Sequence, residues 1–276
     1  MTTAFVLGGG GVLGAVEVGM LRALLEAGVR PDLVVGTSVG AVNGAAFAAD
    51  PTLEGVARLG GLWQELSRGE VFGGSLLTRA RTALRTGTSL HSPEPLRALL
   101  EQHLPGPDFA DLALPFQCVA AEVERARERW FDRGPLVPAL LASCAVPGLF
   151  PPAQIDGRHY LDGGLVHSIP VGRAVQLGAS TVYVLQVGRI EQDLVAPTRP
   201  WQVATVAFEV VRRHRFAADL AELPEDVTAH VLPTGDRAPG LREDLRYRDT
   251  ARVAARVQSA YGASAAYLAG LSEQRR

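Results

Sequence analysis

The first fifty residues alternate between short, wholly apolar runs and glycine-rich breaks. Ala4–Leu7 reads as a buried strand, the run Gly8–Gly11 as a loop, and Val12–Ala27 as a helix that Gly28 closes. Leu33–Val35 then reads as a second strand. Val39–Ala49 reads as a second helix, whose glycine and alanine content allows close packing. Strand, glycine turn and helix, repeated, predict a parallel sheet with crossover helices. Further on, "LPFQCVAAEV" and "STVYVLQVG" have the apolar run of buried strands, and Asp156-Gly157 sits between short apolar arms as a two-residue hairpin turn. Later helices are expected over Trp201–Leu220 and Leu241–Leu271. The stretch 70–110, rich in Gly, Ser, Thr and Pro, has two short helical patterns and is the least core-like part. No internal repeat and no linker marks a domain boundary, so residues 1–276 are expected to form one domain, with 197–276 mainly helical.

A length of 276 residues, 47% of them hydrophobic, suffices for one large α/β core. The net charge of −2 offers no electrostatic case for nucleic acid, whose binding rests on many phosphate contacts. All basic residues are arginine, read as a compositional bias. Cys118 and Cys144 lie in apolar runs without Cys-x-x-Cys spacing and read as buried thiols of a reducing compartment. The N-terminus lacks a basic leader region and carries Glu17 inside its apolar stretch, which argues against a signal peptide. No apolar run approaches the ~20 residues of a membrane span. A cytoplasmic protein is the expectation.

Three short patterns carry candidate chemistry. Gly9-Gly10-Gly11-Val12-Leu13-Gly14 fits G-x-G-x-x-G between a strand and a helix. A dinucleotide site would want an acid at the end of the second strand, whereas Asp32 precedes that strand. A tight structural turn also fits. So does a nest of backbone N–H groups facing a developing negative charge. Gly36-Thr37-Ser38-Val39-Gly40 has the form of a nucleophile elbow, with glycines where the backbone is strained and crowded. An N-capping serine is the plain alternative. Asp162-Gly163-Gly164 places a carboxylate at the end of a short strand, where α/β sheets present functional groups, or simply in a β-turn. Of the histidines, His214 lies in a helix with a basic face and His230 in a strand, and none follows an apolar strand as a triad base would.

Taken in order, the glycine loop, Gly-x-Ser-x-Gly and distant Asp-Gly-Gly resemble the patatin-like phospholipases, and "ASCAVPGLFPPAQIDGRHYLDGGLVHSIPV" is similar to that family's segment around its Asp-Gly-Gly box. The resemblance covers 4–50 and 116–187 well, 70–110 poorly, and the C-terminal third only in general character. It implies a three-layer α/β/α fold with a mostly parallel sheet, and hydrolysis of lipid acyl esters without metal or organic cofactor. It implies Ser38 as nucleophile, Asp162 as proton acceptor, and the backbone of Gly9, Gly10 and Gly11 as oxyanion hole, with Gly14, Gly36, Gly40, Gly163 and Gly164 shaping the turns. The family commonly has Arg or Lys just before the loop's last glycine, where this chain has Leu13. The weak segment 70–110 would then be a cap. Within it, "SLLTRARTALRT" (75–86) is either a basic amphipathic stretch for peripheral contact with an anionic membrane or an ordinary solvated helix face. An α/β-hydrolase with a Ser-His-Asp triad and a non-catalytic lipid- or nucleotide-binding relative are the competing readings. Oligomeric state has no signature in the sequence.

Overall fold

Ala4, Phe5, Val6 and Leu7 are all buried, because their strand has helices on both faces and so reads as a continuous apolar run. The computed structural model describes residues 1–67, 91–188, 193–235 and 250–274. In chain order these form β1 (Thr3–Leu7), α1 (Val16–Glu26), β2 (Leu33–Thr37), α2 (Val39–Ala49), α3 (Leu53–Ser67) and α4 (Glu94–His103). There follow β3 (Phe116–Glu122), β4 (Arg127–Phe131), α5 (Leu136–Ser143), β5 (Ala153–Ile155), β6 (Arg158–Asp162) and α6 (Val171–Gln176). Last come β7 (Thr181–Leu185), α7 (Pro200–Ala221), β8 (Thr228–Val231) and α8 (Thr250–Gln274).

The sheet runs β5-β6-β3-β2-β1-β7-β8, with β4 also paired to β3. Strands β3, β2, β1, β7 and β8 are parallel neighbours, whereas β4 and β6 join β3 antiparallel and β5 joins β6 antiparallel. Alternate side chains of one strand feed two cores. Phe5, Leu7, Val34, Tyr183 and Leu185 pack with α1, α2, α3 and α8. Ala4, Val6, Val35, Val182 and Val184 pack with α6 and with Phe216 of α7. This is the expected three-layer α/β/α arrangement.

The register at β3 sets up the site. Thr37 of β2 pairs with Val119 of β3, and Asp162 of β6 pairs with the next residue, Ala120. Residues 118–122 pair with β4 along their other edge, so β2 and β6 share one edge of β3 and run toward each other. Their ends meet. Residues 38 and 162 are thereby neighbours.

Several local expectations shift. The first helix starts as a 3-10 turn, Gly11–Ala15, and becomes α-helical only from Val16. Strand β2 runs two residues past Val35, to Thr37. The hairpin falls on Asp156 and Gly157, both with positive φ (50° and 74°), as a two-residue type I′ turn requires. The C-terminal helix is described from Thr250; the 241–249 part of the predicted one, and the 75–86 stretch, lie outside the described residues.

Candidate active site

Two chain reversals meet at the carboxyl end of the parallel strands. After β1, the Gly8 amide donates to the Leu185 carbonyl at 2.9 Å and the Gly9 amide to the Ser168 carbonyl at 2.8 Å. The loop is thus tied to β7 and to the segment after the Asp-Gly-Gly box. Gly10 lies flat on Val187: a Cβ there would stand 1.8 Å from Val187 Cγ2, so only glycine fits. The buried guanidinium of Arg212 in α7 donates to the carbonyl of that same Val187. Gly9 abuts the second reversal, since a Cβ on it would be 3.4 Å from Ser38 Cβ. Gly14 packs on Val39 and Trp63, and its carbonyl accepts from Asn43 Nδ2 at 2.9 Å.

Ser38 occupies the N-cap position of α2 with φ 55° and ψ −125°. Such a left-handed conformation in a non-glycine residue is strained and survives only where the surroundings over-determine it. Its carbonyl accepts from the amides of Ala41 (2.8 Å) and Val42 (3.2 Å), and its own amide donates to Ser143 Oγ at 2.9 Å. Gly36 and Gly40 flank it because a Cβ on Gly36 would stand 2.4 Å from the Gly40 carbonyl oxygen. A capping serine would turn its hydroxyl to the helix amides. Ser38 makes no such bond; its Oγ donates instead to Asp162 Oδ2 at 2.6 Å.

Asp162 is 1% exposed. Its Oδ1 accepts the Gly164 amide at 2.7 Å, which leaves Oδ2 for Ser38. The turn reading and the paired reading of this residue are therefore both realised, one on each oxygen. Gly163 fits beneath because a Cβ there would lie 2.2 Å from the Val119 carbonyl oxygen. Burial pushes the Asp162 carboxyl up to about 6, against the opposing pull of the Ser38 and Gly164 hydrogen bonds. A buried carboxylate with one hydroxyl in hand can exchange a proton with it near neutral pH.

The histidines are engaged elsewhere. His159 bonds Glu124, His103 bonds Glu65, His167 meets Glu128 and Arg215, His91 packs on Phe150, His230 stacks on Tyr183, and His214 is exposed on α7. His167 contributes its backbone, whose carbonyl accepts the Thr37 hydroxyl at 2.7 Å. Asp32 bonds the Thr3 amide at the opposite end of β1 from the glycine loop, the wrong end for a nucleotide ribose. Among the described residues, no three His, Cys, Asp or Glu gather as a metal site, and no helix is long and apolar enough to cross a membrane.

Sequence reasoning did not single out Ser143, Asn43 or Arg212. Asn43 is buried and bridges Gly14, Glu17 Oε2 (2.6 Å) and, through its Oδ1, the Trp63 indole N–H (2.9 Å). Burial holds the Glu17 carboxyl well above the usual range, against the Asn43 hydrogen bond. The available signal was Glu17 within the apolar first turns of α1, on the buried side of the helix, which asks for a buried partner.

Residues 5–175 match the family model described as patatin-like phospholipase. A patatin-like phospholipase domain-containing protein of Caenorhabditis elegans is 34% identical over 197 residues, 68% of this chain and 14% of that protein. Patatin-like phospholipase domain-containing protein 7 of Rattus norvegicus is 32% identical over 69% of the chain and 14% of its own length. The lysophospholipase nte1 of Aspergillus terreus is 28% identical over 70% of the chain and 12% of its own length. The chain matches only about one seventh of the length of these relatives.

Proposed function

The chain belongs to the patatin-like phospholipase family, and from that premise we propose that it is a serine acyl hydrolase that cleaves acyl ester bonds of lipids. The observation that carries this reading is the 2.6 Å hydrogen bond from a strained Ser38 at the start of α2 to a buried Asp162. Asp162, when ionised, takes the proton as Ser38 Oγ attacks the ester carbonyl. The protonated Asp162 then returns that proton to the leaving alcohol. In the second half it activates water, which hydrolyses the acyl-enzyme.

The oxyanion donors are narrower than the resemblance implies. The Gly9 amide is already committed to the Ser168 carbonyl, which leaves Gly10 and Gly11 to supply the loop's N–H groups. The positive end of α2 favours the Ser38 alkoxide. One such donor typically contributes ~10²–10³ in rate.

A cavity of about 170 Å³ is lined by Leu96, Arg97, Pro138, Cys144, Phe150 and Gln154 among others. Of these, Cys144 also lies against the Ser38 side chain, and burial pushes its thiol up. Hydrolysis of p-nitrophenyl esters of increasing chain length tests the reading. Turnover that vanishes in Ser38→Ala is expected; equal rates in wild type and Ser38→Ala contradict it.

A further inference from the structure

Three consecutive residues at the end of α5 touch both members of the pair. Ser143 Oγ accepts the Ser38 amide at 2.9 Å, the Ala145 carbonyl accepts the Asp162 amide at 2.9 Å, and Cys144 lies between them against the Ser38 side chain. Ser143 is fully buried on a helix whose other described residues are apolar: Leu136, Val137, Pro138, Ala139, Leu140, Leu141 and Ala142. A hydroxyl in such a place is costly unless it is hydrogen-bonded.

The bond Ser143 makes is of a particular kind. The Ser38 carbonyl is held by the first turn of α2, whereas its amide points back, out of the helix. Ser143 Oγ is the acceptor that fixes the near side of the strained residue. Two clamps therefore hold the Ser38 backbone, and only one of them is a side chain. Without that side chain the φ 55° conformation would be free to relax and to swing Oγ away from Asp162 Oδ2. It would leave the carboxylate, which is held through its own amide and Oδ1, in place.

We propose that Ser143 is a positioning residue for the acyl-transfer reaction: by holding the Ser38 amide, its hydroxyl aims Ser38 Oγ at both Asp162 and the substrate carbonyl without touching substrate. This rests on the hydrolase reading above. A misaimed nucleophile weakens acylation and not ground-state binding, so with a substrate whose acylation limits turnover the loss falls on kcat and spares KM.

The test uses an isosteric pair, Ser143→Thr and Ser143→Val, beside Ser143→Ala, with kcat, KM and the rate of Ser38 labelling by a fluorophosphonate read for each. Thr keeps an acceptor, and Val matches its volume without one. Expected is a kcat loss of roughly 10-fold to 10²-fold in Ala and Val with KM within about twofold, a parallel fall in labelling rate, and at least partial rescue by Thr. Equal kcat in Thr and Val, or labelling of Ala at the wild-type rate, overturns the proposal and leaves the hydrolase reading intact. A wild type that neither labels nor turns over ester overturns both.

Discussion

The α-carbon of Gly40 rests against the carbonyl of Leu7: a Cβ on Gly40 would stand 2.4 Å from that oxygen. The end of β1 and the start of α2 are pressed together there, which sets the glycine loop beside Ser38. Gly40→Ala must separate them. A loss of about 1–3 kcal/mol is expected for such overpacking, read as a fall in thermal midpoint of about 2–4 °C per kcal/mol for a chain of this size. An unchanged midpoint would mean that the contact gives way freely.

Under the proposed mechanism Asp162 sets the acid limb of the activity profile. Its carboxyl titrates at about 6 because burial opposes its charge. The groups that face it are the Ser38 hydroxyl, the Gly164 amide and the Cys144 thiol, and burial keeps that thiol protonated. Because only the ionised carboxylate can accept the Ser38 proton, kcat/KM is expected to fall about tenfold per pH unit below pH 6. A profile flat from pH 8 to 4.5 would remove Asp162 as the base. A limb abolished by replacing a histidine would do the same.

The same burial makes Asp162 a stability cost. Its carboxyl is raised from the ordinary 3.8 to about 6 in the folded state. The folded protein therefore holds the proton more tightly than the unfolded chain does. Stability from this group is fully present below pH 3.8 and is lost as pH rises through 6. The gap corresponds to about 3 kcal/mol at most. Asp162→Asn, which can still accept from Gly164 and donate to Ser38, should raise the thermal midpoint by a few degrees at pH 8 and by little at pH 4. A midpoint lowered at pH 8 would show that the charged hydrogen bonds outweigh desolvation.

What could be read from the chain was what is local. The strands β1 and β2, the glycine loop and the Asp156-Gly157 turn are each set by a few adjacent residues and were legible. Strand β4 was not, because Arg127, Glu128 and Arg129 are exposed on it and only Phe131 is buried, so no apolar alternation announces it. In the site, the residue types at 38 and 162 were legible only through the ordered motifs. Their meeting depends on Val119 and Ala120 of a third strand, a register that no local pattern encodes. The commitment of the Gly9 amide to Ser168, and Ser143 under Ser38, are likewise contacts between distant parts of the chain. Ser143 lies within the segment 142–171 that carries the resemblance, but a single serine ending an apolar helix does not announce its partner.

The central claim is that Ser38 is a nucleophile activated by Asp162. Labelling by a fluorophosphonate, followed by peptide mapping, reads it most directly in wild type, Ser38→Ala and Asp162→Asn at pH 7.5. The account predicts one label on Ser38 in wild type, none on Ser38→Ala, and labelling slowed by at least about 10²-fold in Asp162→Asn, the scale at which a general base contributes. Label on another residue, or Asp162→Asn reacting at the wild-type rate, would contradict it.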